Sequence, residues 1–388
     1  MSAGSSDTVA ALEARIAALV GRGVTILDPR QTYVGPEVEL EHIHPSVVIY
    51  PGTRVHGRCS LGPRVEIGRE GPTVVIDSVL AEDAAIASGY VEGAVLLRGA
   101  RLGANAHVRA QTLLEEQAST AHAVGLKQTI LLSFVTLGSL INFCDCLMAG
   151  GTSRSDHSEV GSGFIHFNFT PWGDRGDKAT PSLIGDVTRG VFLRERRIFL
   201  GGLAGMVGPA QVGYGSVVAA GQIVRRDVDD RAFVLRETKP IEREIDSTWR
   251  DRLQPRLRQN IAYVAQLFAL RQWYREVRLA RLAADHPSRP AILAALELLD
   301  AAIEERRKQL ARFVEERDGV APRFVVTELP ACPWSLGPDE RDHVDHVDHV
   351  DHVEWVQGLD PATVAAGQAW LEAIVEQVRA AAEAEIRR

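Results

Sequence analysis

The chain has 388 residues, 45% of them hydrophobic and 24% charged, with a formal net charge of −8, which is the balance of an ordinary soluble globular protein of two or more domains. A negative field of this size does not favour nucleic acid, no run reaches the ~20 apolar residues of a bilayer-spanning helix, and the N-terminus lacks a basic-then-apolar secretion pattern, so a reducing cytoplasm is the expected compartment. The four cysteines, Cys59, Cys144, Cys146 and Cys332, form no C-x-x-C pair, which leaves no zinc-ribbon or thioredoxin signal.

Residues 6–20 read as a short helix, with Val9, Leu12, Ile16 and Leu19 on one face and Gly21 able to close it. After the segment G-V-T-I-L-D-P at 23–29, apolar residues recur every six positions: Ile43, Ile49, Val55, Leu61 and Ile67, with Val47, Thr53, Cys59 and Val65 four residues after each large one. Residues 69–96 are less regular and are either a loop leaving the repeat or degenerate coils. The pattern is clearest over 102–136, where Leu102, Val108, Leu114, Thr120, Leu126 and Leu132 alternate with Ala106, Thr112, Ala118, Val124, Ile130 and Thr136. A period of six fits neither an α-helix nor a lone strand; it is the hexapeptide signature of a parallel β-helix, about 18 residues per triangular coil. Only stacked coils bury a core.

Within that run Arg109 and Lys127 stand 18 residues apart, one full coil, each one residue after an inward position. Both should therefore point outward, one above the other, with backbones ~4.8 Å apart. Such a pair either splays into solvent as two surface cations or is bridged by an anion, and an arginine fork beside a lysine charge suits a phosphate or diphosphate.

Beyond 136 the period slips. Residues 150–159 read as a polar loop, 161–169 as a strand in which His166 and Asn168 share a face, and 171–178 as a protruding loop. The repeat resumes at Leu200, Met206, Val212, Val218 and Val224. A linker at 231–250 leads to a helical hairpin over 251–318, carried by Leu257, Val264, Leu267, Leu270, Trp273 and Val277, then by Ile292, Leu296, Leu299, Ile303 and Leu310. A second linker, 319–359, contains D-H-V repeated four times at 342–353. Asp and His are metal-ligand types, but tandem triplets without a scaffold are more simply a disordered expansion, and no metal site is expected. Asp360-Pro361 opens a last helix, 360–388. The fold class is an all-β solenoid, a parallel β-helix of hexapeptide repeats over 23–230 preceded by a helix at 1–22 and followed by an α-helical hairpin or bundle.

Several segments carry a family resemblance: G-V-T-I-L-D-P at 23–29, Arg109 with Lys127, Gly161-Ser162-Gly163 with Asn168-Phe169, Lys178-Ala179-Thr180 with Ile184-Gly185-Asp186, and residues 217–228. This ordered set resembles the acetyltransferase half of the bifunctional N-acetylglucosamine-1-phosphate uridyltransferase/glucosamine-1-phosphate acetyltransferase family, the makers of UDP-N-acetylglucosamine. It spans roughly 23–228. The glycine-rich nucleotide loop of the uridyltransferase half is not found in this chain, so pyrophosphorylase chemistry is not expected. The resemblance implies that the β-helix is left-handed and packs side by side in a homotrimer, with acetyl-CoA, or another acyl-CoA, and a sugar phosphate or UDP-sugar meeting in clefts between subunits. It implies that Arg109, Lys127 and Lys178 bind phosphate, that Asn168 lies near the acyl group and that the Ala220 backbone contacts the acyl-CoA.

The departures are in the catalytic positions. Where the family has a proton-abstracting histidine, twelve residues beyond Lys127, this chain has Ser139; Asn142 and Phe169 replace two tyrosines. Serine is no base at neutral pH, so His166, on the face of Asn168, is the candidate replacement, with His157 and Asp156 second. Cys144 reads as a packed thiol. Arg189, Arg194, Arg196 and Arg197 read as a solvated rim rather than a partner for a CoA 3′-phosphate. Three functions remain open: an acyltransferase, a non-catalytic UDP-sugar-binding or scaffolding relative, and a purely structural trimer.

Overall fold

A computed structural model of the protein describes residues 3–167, 181–237, 242, 253–318, 322, 326, 328–337 and 351–386. The six-residue period becomes a parallel β-solenoid. Gly89 stands opposite Ala106, His107 opposite Gly125, and Gly125 opposite Asn142, so the coils from Gly89 to Asn142 take 17 or 18 residues. The first face is an eleven-stranded sheet from Thr25–Ile26 to Phe233–Val234. The strands Gly125–Leu131 and Asn142–Met148 each run through a corner and so belong to both the second and the third face.

The interior explains the pattern. Val55, Val75, Val91, Val108, Leu126 and Phe143 stack as one inward column of the second face, each at most 1% exposed. Burial of each such side chain contributes roughly 1.5–3 kcal/mol. Residues 69–96 prove to be coils of the solenoid, with Thr73–Ile76, Val79–Leu80, Ala85–Ile86, Gly89–Glu92 and Ala94–Leu96 in register with their neighbours. Gly89 is required there: its φ is +128°, and a Cβ would lie 2.1 Å from the Ala106 carbonyl oxygen.

The third face is apolar on the outside as well. Val95, Leu113, Ile130, Leu147 and Leu183 are in register down it, and all are buried. Helices cover them. A helix Leu253–Gln272 continues into a π-helical stretch Trp273–Leu279, and Arg289–Asp318, His352–Gly358 and Pro361–Ile386 follow. Trp273 packs among Phe192, Trp334, His352 and Trp355, with ring centroids 5.1 to 6.5 Å away, tying the helices to the loop around Phe192.

Two buried polar groups pin the helices to the solenoid. Tyr274 donates its hydroxyl to Glu115 Oε1 at 2.6 Å, and Arg278 pairs with Glu115 at 3.4 Å and with Glu116. The Ser133 hydroxyl reaches both carboxylates, at 3.3 and 3.1 Å. Farther along, Arg306 pairs with Asp145 at 3.2 Å and donates to Gln128 Oε1 at 3.0 Å.

One expectation is corrected here. The final D-H-V triplet is not an unscaffolded expansion: Asp351 pairs with Arg98 at 3.1 Å, His352 stacks on Trp355, and Val353 is buried. The three preceding triplets lie outside the described residues.

Candidate functional site

The second face carries the cation pair. Because Val108 and Leu126 are inward and in register, Arg109 and Lys127 point outward on consecutive coils, with the Arg109 N–H donating to the Leu126 carbonyl at 2.9 Å. Arg109 is exposed and Lys127 half-buried. Among the described residues neither pairs with a carboxylate. Glu92, one coil before Arg109, is turned instead to Tyr90, whose hydroxyl donates to Glu92 Oε2 at 2.8 Å. Two like charges ~5 Å apart repel by about 1 kcal/mol in water and about 3 kcal/mol at an effective dielectric of 20. An anion bound between them removes that repulsion.

One coil beyond Lys127 in the same column is Cys144, only 7% exposed. Burial pushes its thiol above the ordinary range and Asp145 adds to this, while Arg109 and Lys127 pull it back. It is a packed thiol at the edge of the cation pair. Asn142, two residues earlier, is exposed.

The expectation that His166 projects into an outer cleft is corrected. Asn142 pairs with Ile165, so His166 follows Phe143 in the inward column, and it is 2% exposed. Its Nδ1–H donates to the Cys144 carbonyl at 2.6 Å, and its Nε2 accepts from the Ser182 hydroxyl at 2.8 Å. These two partners let a histidine take a place that valine or phenylalanine fills elsewhere. Burial pushes its pKa down to about 4, against which the bond to Cys144 acts weakly. A depressed folded-state value means that the unfolded chain takes up the proton first. Stability that is full above pH 6.5 should fall by about 1.4 kcal/mol per unit as pH drops from 6.5 towards 4, roughly 3 kcal/mol in all. Denaturant unfolding of wild type and His166→Gln at pH 7 and pH 5 checks this; the variant is expected to lose less on acidification, and an equal loss in both would contradict it. His352, also buried and held low, adds a slope of the same sign in both proteins.

Asn168 and Lys178 lie outside the described residues. Ala220 is exposed at a turn between the first and second faces, its backbone packed close against Gly201. His157 and Asp156 line an open groove of about 480 Å³ with Arg197, Phe199 and Val217 on the first face, away from the cation column. His157 is held by the Arg154 carbonyl at 2.8 Å and lies 3.6 Å from Glu159. Much of the basic rim is neutralised internally: Arg189 pairs with Asp186 at 2.7 Å and Asp230 at 2.6 Å, Arg197 lies 3.4 Å from Asp156, and Arg194 donates to the carbonyls of Gln357 and Leu359.

Sequence reasoning missed His122. It is exposed at the corner between the first and second faces, and its Nδ1 is 3.0 Å from Ser139 Oγ. The 17-residue spacing of His122 and Ser139, one short coil, is the signal that could have found it.

No family model matches the chain. Among curated proteins, the bifunctional protein GlmU of Fervidobacterium nodosum is 28% identical over 222 residues, 57% of this chain and 43% of that one. GlmU of Thermotoga maritima is 26% identical over 230 residues, covering 59% and 46%, and GlmU of Pelobacter propionicus is 28% identical over 237 residues, covering 60% and 44%. The chain thus spans less than half the length of these relatives. A solved structure, LpxA from Acinetobacter baumannii, aligns with 69% of this chain and 96% of its own at 12% identity and a TM-score of 0.22. The parallel solenoid and these matches make the chain similar to the acetyltransferase half of the GlmU family.

Proposed function

We propose that the protein is an acyl-CoA-dependent acyltransferase whose acceptor is a sugar phosphate or nucleotide sugar of the UDP-N-acetylglucosamine type. The observation that carries this reading is the pair of Arg109 and Lys127, held on adjacent coils by backbone register and neutralised by no carboxylate among the described residues. A phosphate between them gains charge-assisted hydrogen bonds and relieves their repulsion. Lys178 is proposed as a further phosphate ligand, Asn168 as the group orienting the acyl carbonyl, and the Ala220 backbone as a contact to the acyl-CoA. The edge carrying Ala220 and Gly221 is exposed and free of bulky side chains at those positions, which suits an extended thioester arm.

The active assembly is proposed to be a homotrimer in the cytoplasm. Phe199, Val217 and Phe233 are in register on the first face and are 37%, 38% and 68% exposed, and Leu203 at the neighbouring corner is 84% exposed. An apolar row of this kind on an otherwise polar sheet is suited to packing against another copy.

A second reading has support from Ser139 and from the enclosure of His166: a relative that binds a UDP-sugar without catalysis. Release of CoA thiol from acetyl-CoA, measured with glucosamine-1-phosphate and a panel of amino sugars and UDP-amino sugars, separates the two. Acceptor-dependent release is expected. Its absence with every acceptor, in protein that binds UDP-N-acetylglucosamine, would leave the non-catalytic reading.

A further inference from the structure

Ser139 occupies the coil position at which the resemblance places a proton-abstracting histidine, and the neighbouring coil supplies an imidazole to that position. His122 Nδ1 is 3.0 Å from Ser139 Oγ, and the pair is open to solvent. The backbone fixes both residues in one corner column. The Leu140 N–H donates to the His122 carbonyl at 3.1 Å, the Gly163 N–H to the Ser139 carbonyl at 2.9 Å, and the Ser139 N–H to Ser162 Oγ at 3.1 Å. The same column continues through Leu203 N–H to the Ser162 carbonyl, 2.8 Å, and Gly221 N–H to the Gly202 carbonyl, 2.9 Å, so it reaches the turn of Ala220. In the other direction the chain from His122 enters the strand Gly125–Leu131 and arrives at Lys127 within five residues, at most about 16 Å of extended backbone. The imidazole thus shares a coil with Lys127 and lies in the same corner column as the turn of Ala220, four coils along.

We propose that His122 is the general base of the acyl transfer and that Ser139 is the positioning residue that orients it; this rests on the acyltransferase reading above. With Nδ1–H donating to Ser139 Oγ, the neutral ring keeps its lone pair on Nε2, facing away from the serine. The acceptor's amine or hydroxyl attacks the carbonyl carbon of the acyl-CoA thioester. The new C–N or C–O bond forms, the C–S bond breaks, Nε2 takes the acceptor's proton, and that proton passes to the departing CoA sulfur, which leaves as the thiol. His166 cannot do this, because both its nitrogens are engaged inside the coil.

The test uses the full chain and two measurements, CoA-thiol release for turnover and calorimetry for UDP-N-acetylglucosamine binding. His122→Gln is expected to lower kcat by roughly 10²–10⁴ with the Kd within about twofold of wild type. Ser139→Ala is expected to lower kcat less and to displace the acidic limb of the kcat–pH profile, a change that a purely structural contact would not produce. His122→Ala combined with Ser139→His moves the imidazole up one coil and is expected to recover part of the lost turnover. Unchanged kcat in a folded His122→Gln protein overturns the inference while leaving the acyltransferase reading in place, and an unmoved pH profile in Ser139→Ala overturns the positioning role. Wild type that binds the nucleotide sugar but releases no thiol overturns both.

Discussion

Arg278→Ala is expected to cost about 3–5 kcal/mol and to loosen the helices from the solenoid. Glu115, Glu116 and Arg278 are each 5% exposed or less, and the guanidinium sits 4.7 Å from the Tyr274 ring centroid. Burial pushes the Glu115 carboxyl up, and the Arg278 charge is the largest influence pulling it back. Removing the cation leaves two carboxylates side by side with, among the described residues, Ser133 and the Tyr274 hydroxyl to satisfy them. The cost arises from stranded charge rather than from lost packing, so replacing all three at once, Arg278→Met with Glu115→Leu and Glu116→Leu, should recover most of the stability. Hydrogen exchange read by mass spectrometry should show the single variant losing protection first in the helices Leu253–Gln272 and Arg289–Asp318 while the coils remain protected. Equal stability in wild type and Arg278→Ala would contradict this picture of how the helices are held.

Arg109→Ala is expected to weaken UDP-N-acetylglucosamine binding by roughly 10- to 100-fold, the value of one or two charge-assisted hydrogen bonds of about 1.5–3 kcal/mol each. The side chain is exposed and forms no ion pair among the described residues, so the fold should be indifferent to its loss and the melting temperature of the unliganded protein should stay put. Combining it with Lys127→Ala should abolish measurable affinity, and the wild-type affinity should fall as salt rises, because the contact is made at the surface. Calorimetric titration of the three proteins at two ionic strengths measures all of this. A Kd that ignores Arg109 would mean that the cations are solvated surface charges.

The solenoid was legible because its interior is unforgiving. A triangular coil has room for one large and one small inward side chain per six residues, so columns such as Val91, Val108 and Leu126 write the period directly into the sequence. Arg109 and Lys127 followed from that period, since an outward residue is placed by its inward neighbour. His166 was misread because Ile165 and Phe167 are apolar and look like the buried face; the Cys144 carbonyl and the Ser182 hydroxyl, 22 and 16 residues away in the chain, supply the partners that bring the imidazole inside instead. His122 was hidden for a different reason. It lies at an exposed corner, outside the periodic positions, and its coil is one residue shorter than the one linking Arg109 to Lys127. The covering of the third face was hidden as well, because Leu113 and Ile130 point outward beside inward aliphatics and merge with them into an apolar run.

On the proposed reading, the stacked guanidinium and ammonium hold the phosphate of a sugar nucleotide. A structure of the protein with UDP-N-acetylglucosamine bound is the decisive measurement. Phosphate oxygens within about 3 Å of both the Arg109 guanidinium and the Lys127 ammonium are predicted; a nucleotide sugar seated elsewhere, with those two side chains still reaching into solvent, would contradict it.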